Sequence, residues 1–211
     1  MTQLKQRLGR LVRPSQSVQS RPSRAIKLAV IGLGVAVGAT SAVAAIVAVS
    51  GAIVLGAPAS VVLGATQSDV QIVGFNEKQC ITLMKDMDTD HGTIPAGSEV
   101  SCHFFHSDPV NTSLLAGKAR FDSHIIDVIS GSGNLDKSDP PCRRMGVAYP
   151  VAGTEGNRGL EGFQPNDRYQ IIDAGFGIQM QMDVPSFSDQ LRVITCCGDD
   201  GEAHECPALQ D

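Results

Sequence analysis

The sequence predicts a mainly β fold: an antiparallel β-sandwich or jelly-roll domain, exported, preceded by one N-terminal transmembrane helix. Three observations lead there. Residues Leu28 to Ala65 contain no Asp, Glu, Lys or Arg, with seven basic and no acidic residues before them. Beyond them, short alternating apolar runs separated by turn signals replace any sustained 3.6-residue period. All six cysteines also lie on the far side, the usage of an oxidising compartment.

Four segments follow from this division. Residues 1–27 form a basic tail carrying Lys5, Arg7, Arg10, Arg13, Arg21, Arg24 and Lys27, an excess that holds its side of a helix in the cytoplasm. The anchor is placed at 28–55, because a bilayer core takes about 20 helical residues and Pro58 breaks a helix that continues further. Residues 56–68 are read as a linker and 69–211 as the exported domain. The topology expected is N-in, C-out, with residues 28–55 in the lipid bilayer. A long cleaved signal sequence is the alternative, with small residues at Ala42–Ala45 or Gly64 and Ala65 as cut sites, and an acid-free presequence is a third reading. Gly34, Gly38 and Ala42 form an i, i+4, i+8 stripe through which two helices can approach. A Gly- and Ala-rich single anchor has the same pattern.

The domain holds 10 of the 17 basic residues and all 22 acidic ones, so its formal charge is −12. That argues against nucleic acid as its partner, since phosphate binding needs clustered Lys and Arg. In chain order the strand candidates are Val70–Phe75, Cys80–Met84, Glu99–His106, Lys118–Phe121, Ile125–Ile129, Tyr169–Ile172, Gly177–Met182 and Gln190–Thr195. Gly131-Ser-Gly-Asn134, Asp139-Pro-Pro141 and Pro165-Asn-Asp167 punctuate them. The Gly- and Pro-rich region from Asn134 to Pro165 is expected to be loop with at most a helical turn.

An ordered set of short motifs runs through the domain. It comprises Phe75-Asn-Glu-Lys-Gln79, Ile81-Thr-Leu83, Ile94-Pro-Ala-Gly97, Val100-Ser-Cys-His103 and Asp108-Pro109. It continues with Phe121-Asp122, Ile126, Val128-Ile129, Ser138-Asp139, Tyr149-Pro150, Arg158-Gly-Leu-Glu161, Asp167 and Leu191-Arg-Val-Ile-Thr195. The set, over about residues 72–196, resembles an uncharacterised exported bacterial β-domain family, some members of which end in PEP-CTERM sorting tails. The resemblance implies a β-rich exported domain and no established activity. The chain departs from it in its cysteines, as at Cys80 and Cys102, and in ending at Cys206-Pro-Ala-Leu-Gln-Asp211. Among the motif residues, His103, Asp108, Arg158 and Glu161 are expected to be architectural. His103 lies in an alternating strand, Asp108 precedes a turn proline, and Arg158 with Glu161 can pin the long crossover.

Cys80, Cys102, Cys142, Cys196, Cys197 and Cys206 are disulfide candidates with fifteen possible connectivities. Strand neighbours point to opposite faces, so Cys196 and Cys197 should take different partners, and Cys206 can reach one of them across Gly198-Asp-Asp-Gly201. A metal site of Cys102, His103, His106, Cys197 and His204 is the rival, although no C-x-x-C pair supports it. Asp86, Asp88 and Asp90 alternate as in a calcium loop, but His91 intrudes and Gly97 stands where a bidentate Glu belongs. A solvated acidic turn is the competing reading.

Catalysis finds little footing. There is no G-x-S-x-G, and Ser101, His103 and Asp108 share one strand region without a nucleophile turn. No Trp and two Tyr leave few platforms for a sugar ring, and Asn111-Thr-Ser113 is a glycosylation sequon only in a eukaryotic secretory setting. The expected function is a non-enzymatic, structural or surface-interaction role without a cofactor. A calcium- or glycan-dependent binding module is the alternative and a hydrolase the third.

Overall fold

In the computed structural model the described residues are 44–111, 113–160, 166–184, 188–197 and 206–210, all in the unit Ala39–Asp211. The chain first forms β1 (Ile46–Gly51), β2 (Ile53–Leu55), β3 (Ile72–Asn76), β4 (Ile81–Thr82), β5 (Met87–Asp88) and β6 (Thr93–Ile94). Two long strands follow, β7 (Glu99–Ser107) and β8 (Ser113–Phe121), then β9 (Ile125–Ile129) and helix α1 (Ser132–Cys142). The last strands are β10 (Arg168–Ile172), β11 (Gly177–Val184) and β12 (Asp189–Cys196).

Two sheets result. One is four-stranded and antiparallel in the order β1-β8-β11-β10; the other runs β2-β3-β7-β12-β9, with β4 pairing the start of β7. The expected sandwich architecture is therefore present, with one parallel pair, β2 on β3, in otherwise antiparallel ladders. β5 and β6 make a separate hairpin.

The larger sheet is buried on both faces, which explains why Phe104 and Phe105 sit side by side in the sequence. Successive strand residues point to opposite sides. Phe105, Leu191 and Val193 face the four-stranded sheet and meet Leu115, Phe121, Ile178, Met180 and Met182. Phe104, Cys102 and Ile194 face the other way and meet Phe75, Ile94 and Leu135. Each such side chain contributes about 1.5–3 kcal/mol by leaving water. β7 and β12 thus lie in the middle of three layers.

The structure corrects the anchor boundary. Residues 46–55, assigned above to a transmembrane helix, are β1 and β2. An uncharged run of Ile, Val, Ala and Gly suits a lipid-facing helix or a strand pair equally well; here Ile46 and Ile53 enter the sandwich core. Gly51 (φ 73°) turns the chain from one sheet to the other; a β-carbon there would lie 2.5 Å from the Ala116 carbonyl. Its partner across the ladder is Gly117, where a β-carbon would strike Ile53. Residues 56–68 are not a free linker either. Val61 is fully buried, and its N–H donates to the Ala148 carbonyl at 2.9 Å. Residues 28–43, including Gly34, Gly38 and Ala42, lie outside the described residues, as does tail 1–27. No helix among the described residues is long and apolar enough to cross a membrane.

α1 is the second correction, since loop was expected there. Its sequence, SGNLDKSDPPC, has weak propensity and two prolines in the last turn. Tertiary contacts hold it: Leu135 is buried in the outer core, and Cys142 is disulfide-bonded to Cys102 of β7.

Candidate functional site

The motif residue His103 sits in the centre of β7 with no exposed surface. Its Nδ1 is 2.9 Å from Asn76 Oδ1 and its Nε2 is 3.0 Å from the Thr195 hydroxyl. Asn76 Oδ1 also accepts the Ile46 N–H, so it is an acceptor and Nδ1 carries the proton. Nε2 then accepts from Thr195. Burial pushes this imidazole down to about 3, so at neutral pH it is uncharged, and it packs against Phe121 at 4.7 Å between ring centroids. With both nitrogens engaged inside the sandwich, His103 ties β3 to β12.

Asp108 is also buried. Its Oδ2 accepts the N–H groups of Thr66 and Gln67 at 3.1 and 3.4 Å, so it stabilises a turn about forty residues away in sequence. Arg158 is fully buried and reaches α1 and β12: its guanidinium donates to Asp136 at 2.8 Å, Asp139 at 2.7 Å and Gln190 at 2.8 Å. The partner suggested for it by the sequence, Glu161, lies outside the described residues.

Asp139 joins Arg158 to a second buried guanidinium. Arg192 donates to Asp139 at 2.8 Å, to Glu77 at 2.6 and 2.9 Å, and to Ser138. It lies 5.0 Å over the Phe104 ring. Burial alone would lower Arg192, but Glu77 and Asp139 hold it above its ordinary value. The Tyr149 hydroxyl donates to Glu77 at 2.7 Å. Two arginines and three carboxylates are thus threaded between the six-stranded sheet, α1 and the 144–158 loop. This network has the form of a clamp, since each guanidinium is held by two carboxylates and neither is exposed.

The proposed calcium residues do not converge. Asp86 accepts the Ala96 N–H, Asp88 pairs with Lys137 at 3.0 Å, and Asp90 accepts from Ser130 and the Tyr169 hydroxyl. Each is spent on a different neighbour. His91 turns instead to the buried Asp127, with Nδ1 2.7 Å from Oδ1. That hydrogen bond and the Asp127 charge raise its pKa.

The cysteines form three disulfides: Cys80–Cys197, Cys102–Cys142 and Cys196–Cys206. The adjacent Cys196 and Cys197 do take different partners, and Cys206 reaches Cys196. The Cys–His metal reading is corrected by this pairing, because a disulfide sulfur is not the thiolate a metal needs. The same applies to the two places where sulfur meets other ligand atoms, His124 with Cys196 and Cys206, and Glu77 with Cys102 and Cys142. His103 and His106 also point to opposite faces of β7. His204 lies outside the described residues. The three bonds indicate an oxidising, extracellular or periplasmic environment.

Two features escaped the sequence reading. The first is the outward face of the four-stranded sheet. Lys118, Gln179 and Gln170 stand in one cross-strand row, and Gln181 pairs with Arg168 in the row beside it. Arg120 follows Lys118 on the same face of β8. All but the half-buried Gln181 are exposed. No ion pair joins Lys118, Arg120 or Arg168 to a carboxylate among the described residues. A shallow hollow of about 230 Å³ runs along β10 and β11 between Arg168 and Gln181. An alternating K-A-R and Q-M-Q-M pattern was the available signal; which charges share a row depends on the register.

The second is a carboxyl group at the end of the sandwich. Asp189 is buried, and neither of its oxygens meets a hydrogen-bond donor among the described residues. Burial, then the neighbouring charge of Asp167, pushes it up to about 9. Asp167 is itself raised to about 6, first by burial.

Compared with known proteins, the chain matches no family model, no curated protein and no solved structure.

Proposed function

We propose that the chain is an exported, non-catalytic β-sandwich module whose flat four-stranded face binds an anionic surface polymer. The uncharged residues 28–43, ahead of the buried Ala44, lead it across the membrane with the basic tail on the cytoplasmic side. The observation that carries the reading is the row-and-diagonal array of Lys118, Arg120 and Arg168 with Gln170, Gln179 and Gln181 on β8, β11 and β10. A domain of formal charge −12 repels polyanions at long range unless one face is locally cationic. Here three cations with no carboxylate partner among the described residues are interleaved with amides that both donate and accept hydrogen bonds. Carboxylated polysaccharide fits that chemistry, offering carboxylates to the cations and hydroxyls to the amides. The thin aromatic supply argues against stacking on neutral sugars and leaves the charged rows as the recognition element.

The test is retention of the full-length protein on immobilised polygalacturonate, with neutral dextran as the control. The expected result is binding at low salt that weakens as salt screens it and is lost in Lys118→Ser/Arg120→Ser/Arg168→Ser. Equal retention of that triple variant, or equal retention on dextran, overturns the reading.

A further inference from the structure

We infer that Asp189, Asp167 and Ser107, at the end of the sandwich, form a binding site for a divalent cation of the calcium type. The inference does not depend on the basic face. Asp189 opens β12 and Ser107 closes β7, and the two are paired directly across the ladder, which puts their side chains on the same side of the sheet. Both are buried, and among the described residues the Ser107 hydroxyl has no hydrogen-bond partner and the two Asp189 oxygens meet no donor, their one polar neighbour being the acidic Asp167. Buried oxygens without donors are costly, and two such residues facing each other mark a place where something else supplies the missing positive charge.

Asp167 approaches from the other sheet, just ahead of β10. It acts on Asp189 both as a hydrogen-bonding neighbour and as a charge, while its Oδ1 accepts the Asp183 N–H at 2.5 Å. Asp183 adds its own negative charge at longer range. Among the described residues no Lys, Arg or His acts on Asp189, unlike Asp139, which two guanidiniums neutralise. The donor set is therefore the carboxyl oxygens of Asp189 and Asp167 with the Ser107 hydroxyl oxygen. Hard cations select such oxygens, and calcium completes its shell of about 6–8 ligands with water and backbone carbonyls. Bound there, it would bridge β12 and β7 of one sheet to the chain entering β10 of the other.

The competing account of the same geometry is a proton shared between Asp167 and Asp189, so the experiment separates them. The full-length protein is stripped with a chelator and melted at pH 7.5 with increasing calcium chloride up to about 10 mM, the range of weak extracellular sites. Calcium at a hundredfold excess over its dissociation constant is expected to raise the midpoint by about 5–10 °C. Asp189→Asn abolishes the rise, Ser107→Ala weakens the affinity several-fold, and Asp88→Asn leaves both unchanged. On the wild type, calorimetry in buffers of different ionisation heat is expected to show about one proton released per calcium bound. This reading needs no variant to fold. No midpoint shift, or a shift retained in Asp189→Asn, overturns the site and leaves the shared proton. Calcium heat without proton release overturns it as well.

Discussion

Glu77 and Arg192, 115 residues apart in sequence, form a two-point ion pair with neither side chain exposed, at 2.6 and 2.9 Å. The pair fastens the segment after β3 to the central strand β12. Through Asp139 it also fastens α1 and the loop that carries Arg158. The largest mutational penalties are expected along this line.

Removing one partner leaves the other buried and charged, which costs about 3–5 kcal/mol. Glu77→Gln is therefore expected to lower stability by that amount in urea unfolding, with the slope of the transition unchanged. Lys137→Ala, which breaks the exposed pair with Asp88, should cost less than about 1 kcal/mol. Similar losses for the two would contradict the ranking.

His103→Ala removes the ring between Asn76 and Thr195 and opens a hole beside Phe121. Unpaired buried polar groups cost about 1–3 kcal/mol, so a lower melting temperature is expected, with polygalacturonate retention unchanged in the fraction that folds. A variant with wild-type stability and abolished retention would make His103 part of the binding site.

Stability should pass through a maximum near neutral pH. His103 and His106 are pushed down to about 3 and 4 by burial, below an unfolded value of about 6.5. The unfolded chain then binds more protons between these values, and stability falls as pH drops below 6.5. Asp189 and Asp167 are raised to about 9 and 6. Here the native state binds more protons, so their contribution is lost as pH rises from about 4 toward 9. The raised His91 adds a smaller fall in the same direction, discounted because its ring is largely exposed. In calcium-free buffer the midpoint is expected to decline from pH 6.5 to 9, and Asp189→Asn should flatten most of that decline. A decline of the same size in that variant would remove Asp189 as its source.

Non-reducing peptide mapping is expected to find Cys80–Cys197, Cys102–Cys142 and Cys196–Cys206 and no free thiol. Disulfides commonly contribute about 2–4 kcal/mol, more for longer loops. Replacing Cys80 and Cys197, 117 residues apart, should lower the midpoint more than replacing Cys196 and Cys206, 10 apart. The reverse order would show that loop length does not govern these bonds.

Local pattern carried much of the fold. Ile125–Ile129 was bounded as observed, and β7 and β12 were placed within a residue at each end because their apolar runs stop at turn residues. The divergence of Cys196 and Cys197 followed from strand alternation alone. Where two structures share one composition, pattern did not suffice: Ile46–Leu55 has no charge to distinguish a bilayer from a protein core. α1 was not legible because Gly, Ser, Asn, Asp and Pro give it no helical signal; a disulfide and a buried leucine make it fold. The clamp was not legible either. Glu77 and Arg192 stand among ordinary strand residues, and only the register of β3, β7 and β12 brings them together. Asp189 carries no signal in the sequence, because only the register of β12 on β7 sets it opposite Ser107.

The passage of the chain from one sheet to the other at Gly51 also constrains maturation. β1 forms an edge of one sheet and β2 an edge of the other, with Ala52 alone between them. A leader peptidase cutting at Gly64 or Ala65 would strip both edges at once, remove Ile46 and Ile53 from the sandwich core and take Val61 from the outer one. A processed form that keeps this fold must begin upstream of the buried Ala44 and of Ala45, whose N–H donates to Asp122, so of the small residues Ala42–Ala45 only Ala42 lies ahead of that limit.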